Sequence, residues 1–175
     1  MPNNNHSAGH SASASPDAAG GRPADAIFDD LMGTAAAAVE ATGTTTGWTY
    51  ADGSPWNPDA PDIVFNPKPC RATAGGAEQR TMEFRLLGPA PADPRTARDD
   101  MQTYLEGLED QGYALSRSSD PAPGREPKNT YVAGTRRADG AYVDFGANDA
   151  EQRLHFGSEC SAHPSLEDEV SAQTR

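Results

Sequence analysis

The chain has 175 residues, of which 35% are hydrophobic, and its 26 acidic residues against 14 basic ones give a formal net charge of −12. This length allows one domain of ordinary size together with an extension. The negative charge argues against nucleic acid as a partner and against electrostatic adsorption to anionic lipid, because both need clustered lysine and arginine. No run approaches the ~20 apolar residues that span a bilayer, and Met1 leads into polar residues instead of a signal peptide.

The first segment, residues 1–23, is rich in Asn, Ser, Ala, Gly and Pro. Such a composition cannot bury enough surface to offset the entropy of ordering, so we expect a disordered linker or tether. The next segment, 23–42, has apolar residues at Ile27, Leu31 and Ala35 that share one helical face, and Gly43 supplies a stop. The sequence therefore predicts a helix after the tether.

Residues 43–78 are harder to assign. Thr44 to Tyr50 favours a short strand, because β-branched and aromatic residues suit a pleated surface. Five prolines between Pro55 and Pro69 exclude a central strand beyond it. A loop of this length without its own secondary structure is typically either functional or clamped covalently, and Cys70 provides the means for a clamp.

The segment 79–87 alternates apolar and polar residues, which predicts a strand with one solvated face. The segment 94–111 predicts an amphipathic helix with Asp93 as N-cap, Pro94 at the first position and Gly112 after the end. The apolar face of this helix contains Ala97, Met101, Tyr104, Leu105 and Leu108.

The remaining strand-like runs are 113–118, 130–137, 141–147 and 153–158, and Asp139-Gly140 indicates a hairpin turn between two of them. Consecutive strands usually pair. We therefore predict a single α+β domain over residues 24–162. Its architecture is a two-layer sandwich in which one antiparallel sheet of four or five strands carries both helices on one face. Residues 163–175 are expected to form a flexible acidic tail.

Cys70 and Cys160 are the only cysteines, and they flank the predicted core. Closing a loop of this size stabilises a fold by up to about 4.6 kcal/mol in the chain-entropy model. No CxxC motif or basic cluster supports a redox-catalytic role. The pair predicts a structural disulfide, hence an oxidising, extracytoplasmic compartment and a signal segment outside the given sequence.

The layout resembles small actinobacterial secreted lipoproteins, including the LppA-like group. The resemblance covers residues 24–160: a Ser/Ala/Gly tether, a helix, Gly47-Trp48, Cys70, then strand, helix and a meander ending at Cys160. It implies a lipid-acylated cysteine that anchors the domain to the outer face of the cell membrane. No such cysteine occurs in this sequence, so the implied anchor would lie before Met1.

Motifs for chemistry are missing from the sequence. It contains no GxSxG elbow, no GxxxxGK[ST] loop, no HExxH and no zinc-spaced cysteine–histidine cluster. His155 is expected on the outward face of the last strand and His163 in the tail, and neither has a nucleophile beside it. We expect no enzymatic activity, no metal and no cofactor.

One stretch, residues 48–62, combines both tryptophans with oxygen-bearing side chains. Exposed aromatics beside Asp and Asn can stack on sugar rings or anchor a protein partner. The alternative is that Trp48 and Trp56 fill gaps in the core beneath the loop. Calcium binding would use the same oxygens, but the EF-hand spacing is not met. The candidate binding residues are Trp48, Tyr50, Asp52, Trp56, Asn57, Asp59 and Asp62.

These observations favour a non-catalytic extracytoplasmic lipoprotein domain that binds a protein or glycan of the cell envelope and touches the membrane only through a lipid anchor. The alternative is a cytoplasmic acidic interaction or immunity-type protein. A third possibility is a hydrolase with a carboxylate-based site, which would need a cleft lined by paired acids. Two free thiols in the native protein would favour the cytoplasmic interpretation.

Overall fold

The computed structural model describes residues 20–70, 78–122 and 130–173. Over these residues the chain forms two α-helices, ten strands and two short 3-10 helices. In chain order they are α1 Ala24–Ala41, β1 Thr49–Tyr50, β2 Val64–Phe65, β3 Lys68–Pro69, β4 Arg80–Thr81, β5 Glu83–Pro89, α2 Pro94–Glu106, a 3-10 helix Glu109–Gln111, β6 Tyr113–Ser119, β7 Tyr131–Arg137, β8 Tyr142–Ala147, β9 Glu151–Gly157, a 3-10 helix Pro164–Leu166 and β10 Val170–Ser171.

The main sheet in the described residues has six strands in the order β1-β5-β9-β8-β7-β6, and every neighbouring pair is antiparallel. The α+β class and the antiparallel sheet are confirmed. The predicted count of four or five strands was too low, because both edge runs join the sheet. Thr49 and Tyr50 pair with Leu87 and Leu86 at one edge, and β6 pairs with β7 at the other.

Helix α2 follows the predicted boundary chemistry at its start. The carboxylate of Asp93 accepts hydrogen bonds from the backbone N–H groups of Arg95 and Thr96, as an N-cap does. The α-helix ends at Glu106, and the last predicted turn is a separate 3-10 helix. Gly112 then adopts φ +83°, a conformation that glycine allows without strain.

Both helices pack on the sheet. Helix α1 lies against β9 and β10 and contacts α2, which lies across β6, β7 and β8. The fully buried side chains between the layers include Phe28 of α1 and Phe145 and Phe156 of the sheet. Phe84 stacks on Phe156 with ring centroids 5.0 Å apart, which extends the core toward β5.

The predicted disulfide between Cys70 and Cys160 is present, with the two Cα atoms 6.0 Å apart. It joins the segment before β4 to the segment after β9. Strand β4 itself pairs with the segment after β9, because Arg80 and Ser161 exchange backbone hydrogen bonds of 2.8 and 3.0 Å. Since β3 also pairs with β4, the bridge connects two segments that both lie beside β4.

The C-terminal segment corrects the expectation of a flexible tail from residue 163. Leu166 is 1% exposed and Val170 is 4% exposed, and Val170–Ser171 pairs with Val64–Phe65. Both apolar side chains are buried although their neighbours in the sequence are acidic. The strand pair also provides hydrogen-bond partners for backbone groups that would otherwise face water. Residues 174–175 lie outside the described residues.

Of the predicted tether, residues 1–19 lie outside the described residues. Residues 20–23 lie on the domain next to the disulfide: the carbonyl oxygen of Gly20 accepts from the N–H of Ala162 at 2.9 Å. Arg22 forms ion pairs with Asp30 at 2.6 Å and with Glu159 at 3.1 Å. In the part of the chain that is described, no helix has the length and apolar character required to cross a bilayer.

Candidate functional site

The first two candidate binding residues of the 48–62 loop, Trp48 and Tyr50, are part of the core. Trp48 is 3% exposed and Tyr50 is 5% exposed. Burial, followed by the charges of Asp62 and Asp52, raises the pKa of Tyr50 to about 12. Neither ring is available to a partner on the surface.

Trp56 is half-buried and packs against the hydrophobic core that contains Trp48 and Tyr50. Its ring stacks on Phe84 with centroids 6.0 Å apart and meets Tyr50 edge-on at 5.5 Å. Such aromatic pairs contribute beyond their buried area. The arrangement of the three rings in this loop matches the alternative interpretation, in which they fill the core beneath it.

The polar residues of the loop, Asp52, Asn57, Asp59 and Asp62, are exposed. The Oδ1 atom of Asp52 accepts from the hydroxyl and the N–H of Ser54 at 2.6 and 2.9 Å, and these hydrogen bonds lower its pKa. The Oδ1 atom of Asn57 accepts from the N–H of Asp59 at 3.1 Å. These oxygens stabilise turns in the manner of Asx motifs. Within the described residues, no group of three His, Cys, Asp or Glu side chains is placed to hold a metal ion.

A different surface brings polar side chains together. We call it the open face: the side of the main sheet that points away from α1 and α2. Strand register places Arg85 opposite His155, His155 opposite Asp144, Asp144 opposite Gly134, and Gly134 opposite Arg117. These five residues form one row across four strand boundaries. The flanking rows consist of Glu83, Gly157, Tyr142 and Arg136 on one side and Leu87, Arg153, Gly146 and Val132 on the other.

Three glycines shape this face, because a residue without Cβ lets other groups approach the backbone. A Cβ at Gly157 would collide with the ring of Tyr142, and one at Gly134 would collide with the carboxylate of Asp144. Gly146 differs from both, since the nearest atom to its hypothetical Cβ is the methyl of Thr130 at 3.4 Å. Tyr142 and Asp144 thus lie over two of these glycines, whereas Gly146 has only ordinary van der Waals neighbours, including the side chains of Thr130 and Val132.

Asp144 is the buried charge of the open face, with 8% of the residue exposed. Its two oxygens lie 3.1 Å from a guanidinium nitrogen of Arg117 and 3.0 Å from one of Arg136. Arg136 also covers the ring of Tyr142, with its guanidinium carbon 4.4 Å from the ring centroid. Two arginines on one carboxylate leave this cluster with excess positive charge.

Tyr142 and His155 are joined by a hydrogen bond of 2.9 Å between the tyrosine oxygen and Nε2. Burial, followed by the positive charge of Arg85, lowers the pKa of His155, which keeps the imidazole neutral near neutral pH. Burial and the charge of Glu83 raise the pKa of Tyr142. The partner of His155 is therefore a weakly acidic tyrosine, and not a serine or cysteine that it could activate as a nucleophile.

Beside this pair lies a cavity of about 340 Å³, which we call the arginine groove. Gly146 is part of its lining, together with Arg85, Arg117, Arg153 and His155. Among the described residues Arg85 makes no ion pair, while Arg153 lies 3.5 Å from Glu151 with half of its side chain exposed. Two guanidinium groups are thus accessible at the edge of one groove.

A second cavity of about 330 Å³ lies between α1 and the end of the sheet. Its charged lining residues include Asp30, Arg137 and Glu159. They are already paired, because Arg22 contacts Asp30 at 2.6 Å and Arg137 contacts Glu159 at 2.8 Å. This network connects the N-terminal segment to the sheet, so its charges serve the fold.

The sequence predicts His155 on the outward face of its strand, but nothing in the sequence combines it with Arg85, Tyr142 and Asp144 into a site. The missing information was the strand order. Once β5, β9, β8 and β7 are known to be neighbours, the outward positions of each strand fall into common rows.

The fold and its open face define a two-layer α+β domain with one helix-covered and one solvated sheet face. No protein-family model, curated protein or solved structure matches the chain.

Proposed function

We propose that the chain is a non-catalytic, extracytoplasmic domain of a cell-envelope protein, and that it binds its partner on the open face. The observation that carries the proposal is the accessible pair of guanidinium groups, Arg85 and Arg153, in one groove of a strongly acidic protein. An antiparallel sheet often has one solvated face without any function. A cluster of arginines around one groove is a more specific arrangement than solvation requires.

The disulfide supports an extracytoplasmic location, because such bonds persist in oxidising compartments. A lipid anchor is the further part of the proposal and derives from the resemblance to small secreted lipoproteins. The N-terminal segment meets the domain beside Ala162, beyond the Gly157 end of β9. Arg153 lies four residues before Gly157 along that strand, roughly 13 Å at the rise of a β-strand, so the groove and the point where residues 20–23 meet the domain are separate places on the molecule.

The chemistry of the face supports binding over catalysis. His155 hydrogen-bonds to Tyr142, and Asp144 is engaged by Arg117 and Arg136. A general base needs a proton to remove from a nucleophile or substrate within hydrogen-bond reach. The polar groups of this face instead hold one another in place and leave arginine at the rim.

The test is a binding panel of envelope glycans and purified envelope proteins, probed with the wild type and two variants. Gly146→Trp fills the groove, and the triple variant Asp52→Ala, Asp59→Ala, Asp62→Ala removes the exposed acids of the 48–62 loop. We expect a panel member whose signal disappears with Gly146→Trp and persists with the loop variant. Circular dichroism and the unfolding midpoint establish that both variants are folded.

The opposite pattern, in which only the loop variant loses the binding signal, would place the binding site in residues 48–62. A wild type that binds no member of the panel contradicts the proposal. The compartment is tested separately by counting thiols in protein isolated without reductant, where two free thiols would support the cytoplasmic alternative.

A further inference from the structure

We infer that the arginine groove binds a sugar unit that carries an anionic group, a carboxylate or a phosphate. This inference rests on the proposed function, since it names the ligand class for the open face. It is carried by three features of the groove: an arginine that makes no ion pair among the described residues, a small volume, and apolar side chains beside the charges.

The charge of the groove is positive although the molecule is acidic. Arg85, Arg117 and Arg153 line it, and among the lining residues that the structure describes Asp144 is the one carboxylate. Asp144 is shared between Arg117 and Arg136, so it does not neutralise Arg85. This local excess selects an anionic ligand by charge complementarity.

Arg153 is available to a ligand as well. Its contact with Glu151 is 3.5 Å long, and the side chains are 51% and 31% exposed. Exposed ion pairs of this kind contribute little to stability, so a ligand can replace the carboxylate of Glu151. The planar guanidinium fork suits the two oxygens of a carboxylate or phosphate.

The size of the groove favours a small unit over a protein surface. Its volume of about 340 Å³ is at the lower end of the range for small-ligand sites. A stable protein interface needs a much larger contact area than such a groove provides.

The groove is not only charged. Leu87 and Val132 line it together with the arginines, and both are partly exposed. A sugar ring has apolar C–H faces that can pack on such side chains while its acidic group contacts guanidinium. A free inorganic anion would use the arginines and leave the apolar part of the groove unoccupied.

The experiment is a titration of the isotopically labelled full chain, followed by NMR, with glucuronate, glucose 6-phosphate, glucose and inorganic phosphate. We expect shifts at residues of the groove with one or both acidic sugars and none with glucose. Binding should weaken between low salt and about 150 mM salt, since exposed charges are screened. The carboxylate and phosphate sugars separate the two sources of the anionic group.

The variant Arg85→Ala should lower the affinity for the acidic sugar about tenfold, the size of effect expected for a charge-assisted hydrogen bond. The matched control is Arg95→Ala, which removes an arginine with a 57% exposed side chain from helix α2 in the other layer. Equal affinities of the two variants would overturn the inference.

Three further results would also overturn it: equal binding of glucose, inorganic phosphate binding as tightly as the phosphorylated sugar, or no binding of either acidic sugar at tens of millimolar. The inference and the proposed function fail in different ways. If Gly146→Trp abolishes a panel signal that Arg85→Ala leaves intact, the open face is the binding surface but its ligand is not selected by charge.

Discussion

At the residue scale, glycines decide which side chains can lie on the sheet. Gly88 faces the core, and a Cβ built there would lie 2.7 Å from the ring of Trp48. Gly33 is in the middle of α1, and a Cβ there would have no atom within 4 Å. The same substitution should therefore have opposite effects at these two positions.

Gly88→Ala should destabilise the protein by about 1–3 kcal/mol, because the tryptophan must move out of a packed core. Gly33→Ala should stabilise it by about 0.5–1 kcal/mol, because alanine reduces the entropy of the unfolded chain and favours a helix. Urea denaturation of both variants measures the two changes. A shift of the same sign in both would contradict this packing of Trp48.

His155 gives a prediction about pH. Its pKa in the folded protein is lowered from 6.5, mainly by burial, so below about pH 6.5 the unfolded chain takes up a proton that the folded chain resists. The groups that face it are Glu83, Arg85, Arg136 and Asp144, together with Tyr142. The contribution of His155 to the free energy of unfolding should thus decline as the pH falls through this range.

The measurement is the free energy of unfolding of the wild type and of His155→Gln at about pH 7.5 and about pH 5. Glutamine keeps a hydrogen-bonding group but does not titrate, and all other titrating groups are common to both proteins. We expect the wild type to lose more stability on acidification than the variant. Equal losses would show that His155 titrates alike in the folded and unfolded states.

At the element scale, the C-terminal segment behaves as part of the domain. Strand β10 pairs with the two-residue strand β2. Leu166, which precedes β10 in the chain, is buried in the core. The partner strand lies in the proline-rich stretch between β1 and β4. The C-terminal segment therefore orders a loop that has little secondary structure of its own.

Leu166→Ala should cost about 2–5 kcal/mol, the usual range when a fully buried leucine is truncated. Leu115→Ala is the control, because Leu115 on the edge strand β6 is 41% exposed and surface changes usually stay within about 0.5 kcal/mol. Thermal and urea unfolding report both values. A negligible effect of Leu166→Ala would mean that the segment frays, as its acidic sequence suggests.

At the scale of the whole molecule, the disulfide constrains most of the sheet. Cys70 and Cys160 are separated by 90 positions in sequence, and strands β4 to β9 lie between them. In the chain-entropy model a loop of this size corresponds to about 4.6 kcal/mol of stabilisation, with 2–4 kcal/mol typical of measured bridges. That is a large share of the ~5–15 kcal/mol by which domains are stable.

The double variant Cys70→Ser, Cys160→Ser should therefore lose about 2–4 kcal/mol in the free energy of unfolding. Adding reductant should lower the urea midpoint of the wild type and leave that of the double variant unchanged. If the reductant has no effect on the wild type, either the bond is absent or its loop is already restricted in the unfolded chain.

Much of this architecture is predictable from local patterns. The alternation in 79–87 and the cap at Asp93 predict a strand and a helix because periods of 2 and 3.6 residues are properties of a single segment. Two lone cysteines allow only one internal bridge. The class of fold and the disulfide accordingly follow from the sequence.

Other features depend on which segments become neighbours. The sequence leaves open whether Trp48 is exposed for binding or fills the core. The pairing of β1 with β5 decides this, because Trp48 and Tyr50 are both buried beside that pair. The acidic sequence around Leu166 and Val170 predicts a flexible tail. The segment is part of the domain because β10 pairs with β2.

The arginine groove is the clearest case. The alternation of apolar and polar residues along each strand predicts that Arg85 and His155 point away from the core of the domain. This much the sequence determined by itself. That they lie side by side, with Asp144 next to His155, was decided only by the tertiary structure. The physical reason is that the order of strands depends on long-range backbone hydrogen bonds and shared burial, neither of which is recorded in the spacing of residues along one segment.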